Sequence, residues 1–207
     1  MADRDELIDV PTTTLADELG SAHVMDIGIR PLWPSMPRTA GRAFTVRCPP
    51  GVNLMVHAAV HRAAPGSVIV VQAGDVDHAV TGGNLLAVAQ RRGIVALVVD
   101  GVIRDLAEAR DLAFPVFSRG VIPIPGGKDA VEPLNAPVVC GGVTVHAGDV
   151  VVGDEEGLVV IPGDRCEQVL HDARAALAAE AAVSLDEWER AHRARIDALL
   201  AERGFVA

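Results

Sequence analysis

The chain contains no tyrosine, and its four phenylalanines and two tryptophans make up only 3% of 207 residues. Proteins that read nucleic acid by stacking on its bases need aromatic platforms, so this chemistry has little to stand on here. Positive charge is also scarce: eighteen Lys and Arg face twenty-eight Asp and Glu, a net charge of −10. An acidic surface repels phosphate backbones, although one well-placed arginine can still govern a pocket for a small anion. No apolar run approaches the ~20 residues of a membrane-spanning helix. The opening MADRDELIDV has no apolar signal region. The three cysteines, Cys48, Cys140 and Cys166, are odd in number and far apart. They suit neither a disulfide framework nor a zinc site, and read as buried small hydrophobes in a reducing compartment. Together these absences point to a cytoplasmic protein with no nucleic-acid and no membrane partner.

What is present is core material. Half of the residues are hydrophobic, and mean hydropathy is +0.30. With few aromatics, the core must be built from Val, Ile, Leu and Ala. Residues 1–24 read as a short helical lead-in, with Thr12 to Thr14 as N-cap candidates and Gly20 as a stop. Residues 25–38 are irregular. A strand is expected over 41–48, a helix over 53–63, and a buried strand over 67–71, where β-branched residues run nearly without interruption. A helix over 84–92, ended by Gly93, and a strand over 94–99 follow. Strand–helix–strand units in succession argue for an α/β layer. A short helix then runs to Asp111, with a strand near 115–118.

Beyond that point the pattern becomes β-rich. Short runs at 121–125, 138–140, 143–146, 150–152 and 158–161 are separated by Gly and Asp turns, and are expected to form a second β layer. Pro162 closes it. A helix over 164–182 and a last helix behind the capping box Ser184-Leu-Asp-Glu187 complete the chain. The expected division is an α/β/β domain at 1–162 and a helical extension at 163–207, packing on the core or on a neighbouring subunit.

Chemistry concentrates in GGNLLAVAQRRGIVALVVDGVIRD, residues 82–105. Arg104 can grip a carboxylate through parallel hydrogen bonds, and the adjacent Asp105 is a hard oxygen ligand suited to Mg²⁺. The alternative is that Asp105 merely caps the helix that follows it while Arg104 lies on the surface. Gly82-Gly83-Asn84-Leu85-Leu86 opens a helix whose free N–H groups can hold an anion. Asp75 and Asp100 end consecutive strands, where ligands of open α/β sheets bind, but both also suit turns. His57 and His61 share a helix face without the Glu of a zinc-hydrolase motif, and read as core or surface histidines. Gly126-Gly127-Lys128 lacks the flanking residues of a phosphate-binding loop.

The ordered blocks PGSVIVVQAGD (65–75), GGNLLAVAQRRG (82–93), VVDGVIRD (98–105) and GGVTVHAGDVVVGDEEGLVVIP (141–162) resemble the RraA-like family. That family joins class II pyruvate aldolases acting on 4-hydroxy-4-methyl-2-oxoglutarate and 4-carboxy-4-hydroxy-2-oxoadipate with regulators of ribonuclease E. The resemblance spans roughly residues 12–182. It implies a layered α/β/β fold of the swivelling β/β/α type, a homotrimer or hexamer, and an active site between subunits. It further implies that Arg104 binds the pyruvoyl carboxylate, that Asp105 anchors Mg²⁺ or Mn²⁺, and that Gly83, Asn84, Leu85 and Leu86 line the substrate. The amides of Leu85 and Leu86 would complete the carboxylate cradle. The family's aldolases carry an acidic side chain near the start of this helix; Gly83-Asn84 stands there instead. Glu180, in the tail helix, is the residue placed to reach a neighbour's metal through water. The implied activity is lyase chemistry through a metal-stabilised enolate, with oxaloacetate decarboxylation alongside. The alternative is a non-catalytic regulator of the ribonuclease E type, which lacks an intact Arg-Asp pair.

Overall fold

The computed structural model describes residues 4–205. The parts of the lead-in and of the tail at 1–3 and 206–207 lie outside these described residues.

Four parallel strands form the centre: β2 (Thr39–Arg47), β3 (Ser67–Gln72), β4 (Ala96–Ile103) and β5 (Val116–Val121). Helices α3 (Leu54–Val60), α4 (Gly83–Arg91) and α5 (Leu106–Asp111) connect them. The two-residue β1 (Arg30–Pro31) pairs antiparallel with β5, inside a segment expected to be irregular. At the other edge β8 (Val150–Gly153) and β9 (Leu158–Ile161) extend the same sheet, giving the order β1-β5-β4-β3-β2-β8-β9. Only β6 (Val138–Cys140) and β7 (Val143–Val145) form a separate ribbon. The second β layer is thus thinner than the sequence pattern suggests, because β8 finds its hydrogen bonds along β2. Residues 121–125 form no strand of their own; Val121 ends β5 and the rest is loop.

Alternation along each strand sorts side chains to two faces. Val46, Ile69, Val71, Leu97 and Val99 pack against α3, α4 and α5. Val68, Val70, Ala96 and Val98 face the ribbon through Val138, Cys140, Val143 and Val145. On the helical side of β8 and β9, α1 (Arg4–Ile8), α2 (Thr12–Leu19) and the first turns of α6 (Cys166–Ala181) cover Val150, Val152, Val159 and Ile161. Helices, sheet and ribbon make three layers, the α/β/β arrangement expected.

Local differences have identifiable causes. Pro11, not a threonine, occupies the N-cap of α2, and the Thr12 hydroxyl instead donates to Asp154 Oδ1 at 2.7 Å. Asp100-Gly101 is not a turn: β4 runs through it, with Asp100 paired to Gln72 of β3, while the pairing with β5 skips both residues at a bulge between Val99 and Val102. Gly93, with φ +79°, sits just beyond α4 as the sequence requires. The capping box of α7 (Leu185–Glu202) is present, Ser184 accepting the Glu187 N–H. No residue of α7 is buried.

Candidate active site

The bulge re-aims the end of β4 so that Arg104 and Asp105 emerge beside the start of α4. Arg104 N–H donates to Thr81 O at 3.0 Å, stitching this turn to the segment that leads into α4. Asp105 has φ 60° and ψ 45°, a left-handed conformation that Asp tolerates better than most residues. It occupies the N-cap position of α5 but makes no side-chain cap. Its Oδ2 instead accepts the Gly83 N–H at 3.0 Å, with Arg104 Nε 3.5 Å away. The helix start thereby fixes the carboxylate, and no partner holds its second oxygen among the described residues. Both side chains remain partly open to solvent, at 42% for Arg104 and 37% for Asp105.

The twin glycines are required by this close packing. A Cβ on Gly82 would meet Asp105 Oδ2 at 2.4 Å, and one on Gly83 would meet Glu108 Oε2 at 1.6 Å. Glu108, one turn into α5, thus occupies the space a side chain at position 83 would take.

Leu85 and Leu86 line up differently from the expectation. Their amides donate to Gly82 O at 3.0 and 3.1 Å, within the first turn of α4. With the Gly83 N–H taken by Asp105, the Asn84 amide is the donor of that turn left without a partner among the described residues, and Asn84 borders the cleft.

That cleft, of about 160 Å³, is walled by Asn53, His57, Thr81, Asn84, Arg104, Asp105 and Lys128, among others. Residues 124–127 deliver Lys128: Ala79 N–H donates to Ile124 O at 2.7 Å, Gly126 N–H to Ala79 O at 3.0 Å, and Gly127 N–H to Gly51 O at 2.7 Å. Lys128 donates to Asn53 Oδ1, and Asn53 Nδ2 donates to Ala79 O at 3.2 Å. Burial and then the nearby Arg104 guanidinium lower the proton affinity of Lys128. Burial, then Lys128 and His61, lower that of His57 as well. Two cations, Arg104 and Lys128, against the one carboxylate of Asp105 leave the cleft with a net positive balance on an otherwise acidic protein.

Of the residues singled out in the sequence, Gly83, Asn84, Leu85, Arg104 and Asp105 come together. Glu180 lies on the exposed part of α6 and does not border this cleft. Asp75 is structural: it accepts the Gly51, Asp77 and His78 amides and the His78 ring. Asp100 joins Arg119 at 2.5 Å and the Gly141 amide at 2.8 Å, tying ribbon to sheet. Asn53, His57, Thr81, Glu108 and Lys128 are the residues that sequence reasoning did not place. The single local sign was polarity, in Asn53 and Lys128, where packing alone calls for none.

The profile of the RraA-like family, described as Aldolase/RraA, matches residues 12–160. A Halalkalibacterium halodurans protein provisionally named a 4-hydroxy-4-methyl-2-oxoglutarate aldolase is 39% identical over 166 residues, covering 80% of this chain and 79% of its own. A Deinococcus radiodurans protein with the same provisional name is 32% identical, covering 73% of this chain and 94% of its own. Among solved structures, the RNA-processing inhibitor RraA from Thermus thermophilis superposes with a TM-score of 0.68 at 27% identity, over 74% of this chain and 93% of that one. With the matched profile, the relatives and the layered fold in agreement, the chain belongs to the RraA-like family.

Proposed function

We propose that the protein is a divalent-metal-dependent class II aldolase, a carbon–carbon lyase that cleaves a 4-hydroxy-2-oxo acid of the 4-hydroxy-4-methyl-2-oxoglutarate type to pyruvate. The observation that carries this reading is the Arg104–Asp105 pair beside the cleft, with one carboxylate oxygen pinned by the Gly83 amide and the other without a partner among the described residues. The aldolase names of the relatives at 39% and 32% identity support it.

The donor set suits Mg²⁺ or Mn²⁺. Mg²⁺ is commonly held by one or two carboxylates, its remaining positions going to water and substrate oxygens. Asp105 offers such a carboxylate, and Glu180 from a neighbouring subunit of a homotrimer or hexamer would act through water. Bound there, the ion supplies Lewis-acid stabilisation of developing oxyanion charge, typically worth several kcal/mol.

The chain's own residues do the rest. Arg104 and the Asn84 amide orient the oxo-acid end, and Lys128 keeps the cleft electropositive. Loss of the 4-hydroxyl proton breaks the C3–C4 bond, whose electron pair passes to C3 and gives pyruvate enolate and a carbonyl fragment. Protonation at C3 then releases pyruvate. Oxaloacetate loses CO₂ through the same enolate, so decarboxylase activity accompanies the aldolase reaction. The setting would be the cytoplasm.

The test is pyruvate release from 4-hydroxy-4-methyl-2-oxoglutarate and from oxaloacetate, with Mg²⁺, Mn²⁺ or EDTA. Metal-dependent pyruvate that vanishes with EDTA is the expected result. Likeness to an RNA-processing inhibitor favours a second reading, a non-catalytic regulator of ribonuclease E. Absence of pyruvate with every metal, together with inhibition of RNA cleavage by ribonuclease E, would replace the first reading by the second.

A further inference from the structure

The helices above the sheet fall into two groups with a seam between them. Helices α1, α2 and α6 cover the end at β8 and β9, and α3, α4 and α5 cover the centre. Along the seam lies a row of three side chains. Arg42 of β2 pairs with Ser67 of β3 on one side and with Val150 of β8 on the other. Neighbouring strands lie about 4.8 Å apart, so side chains in register stand side by side. All three point to the helical face: Ser67 keeps the parity of Ile69 and Val71, Arg42 that of Ala40 and Val46, and Val150 packs with the α1–α6 group. The row is the floor of a groove of about 570 Å³, walled by Arg4 and Leu7 of α1, by Cys166 at the start of α6, and by the turn at 64–66.

Two features say what this groove takes. Ser67 is 8% exposed, yet its hydroxyl has no hydrogen bond among the described residues, and it borders the groove. Native structures rarely leave such a group unanswered, and one that is unanswered marks the place of a ligand or water. Arg42 gives one donor to Gly148 O at 2.8 Å, and Arg4 gives one to Ala40 O at 3.1 Å. Each guanidinium has five N–H donors, and neither meets a carboxylate among the described residues, so their forks are open to an oxyanion. Leu7, Pro65 and Val150 supply aliphatic walls, and no aromatic ring lines the groove. Its volume falls within the range of small-molecule sites. The groove is separate from the catalytic cleft: it sits at the amino-terminal halves of β2 and β3, whereas Arg104 follows the carboxyl end of β4, and the two share no lining residue.

From this we infer that the seam is a second binding site, for an amphipathic organic oxyanion. A carboxylate or phosphate head is held by Arg42, Arg4 and the Ser67 hydroxyl, and an aliphatic body lies along Leu7, Pro65 and Val150. The site does not depend on the reaction assigned to the cleft, and it is measured by binding alone.

Calorimetric titration of the full chain with octanoate, octyl phosphate, octanol and acetate tests it. Octanoate or octyl phosphate, or both, should bind once per chain; octanol lacks the charge and acetate the body, and each should bind at least about 10-fold more weakly. Tighter octanoate identifies a carboxylate head and tighter octyl phosphate a phosphate monoester, and either upholds the site. Arg42→Met should weaken the octyl anion about 10- to 100-fold, the scale of a charged hydrogen bond, and Ser67→Ala about 2- to 10-fold. Arg104→Ala, in the cleft, should leave this affinity unchanged. Arg42 also braces Gly148, so Arg4→Met, on an exposed position of α1, repeats the test without touching the sheet and should weaken binding about 10-fold. The site is overturned if neither octyl anion binds, if octanol binds as tightly as both, or if binding survives Arg42→Met and Arg4→Met. Loss of binding in Arg104→Ala alone would move the anion to the cleft and overturn it as well.

Discussion

Asp105 combines two roles that usually fall to different residues. Its left-handed backbone turns the chain from β4 into α5, at a cost of roughly 1–3 kcal/mol, and its carboxylate is then presented to the start of α4. Asp105→Asn keeps both the shape and the tolerance of that conformation. It should leave the melting temperature nearly unchanged and remove metal-dependent pyruvate formation, while unimpaired turnover would exclude Asp105 as the metal residue. Arg104→Ala should lower kcat/KM by about 100-fold or more, on the scale of a lost charged contact in a partly desolvated site. Gly82→Ala tests the close approach differently. Its methyl would displace the Asp105 carboxylate it meets at 2.4 Å, so activity should fall while circular dichroism stays native. The cysteines behave as the sequence suggests. Burial pushes the Cys48 thiol up to about 11 and raises Cys140 as well, so neither should react with a thiol reagent at pH 8 in the folded protein.

Between elements, apolar packing joins the layers and a few buried polar contacts fix how they meet. Asp154 is 4% exposed and accepts the Thr12 amide at 2.9 Å, the Thr12 hydroxyl at 2.7 Å and the Glu156 amide at 2.9 Å. It anchors the N-terminus of α2 to the turn between β8 and β9. Asp154→Ala strands buried donors and should cost roughly 1–3 kcal/mol, read as a lower midpoint in urea with the same slope. Ser184→Ala makes the contrasting case. It removes the capping box of α7, worth about 1 kcal/mol to that helix, yet α7 buries nothing, so the unfolding midpoint of the core should not move. A core midpoint that dropped with the α7 helix would show that the tail is coupled to the body.

For the molecule as a whole, the charges that respond to pH favour the folded state only above the acid range. The Arg119 guanidinium, then the Gly28 amide, hold Asp26 below the ordinary carboxylate value. Burial alone would raise Asp75, but the Gly51 amide, the His78 ring and the Asp77 and His78 amides outweigh it and bring it down. Carboxylates depressed in the folded state contribute stability that is complete above the unfolded value near 3.8 and disappears as pH falls through the folded values. His57 acts in the same direction at milder pH, since a half-buried imidazole whose proton affinity is lowered in the fold takes its proton more readily when unfolded. Stability should therefore decline in two stages on acidification, first below about pH 6.5 and again below about pH 4. His57→Gln should remove the first stage and Arg119→Met should weaken the second.

Most elements and the α/β/β order of layers were legible in the chain's local patterns. β-Branched runs over 67–71 and 94–99 could bury both faces only as central strands, and Gly93 and the Ser184 box set helix ends through local backbone chemistry. The sequence also placed Arg104 and Asp105 together, because they are neighbours in the chain. Periodicity could not tell that β8 and β9 continue the first sheet, since an edge strand chooses its partner by hydrogen bonding available only after the sheet exists. Nor could it read Asp100-Gly101 as strand, because Asp-Gly is also a turn pair and the bulge that accommodates it exists only once β4 is paired with β5. Tertiary structure alone brought Asn53, Thr81 and Lys128 to Arg104, from segments far apart in sequence. No local propensity encodes that meeting; it follows from the loop at 124–127 being held to Ala79 and Gly51 once the sheet and its helices have packed.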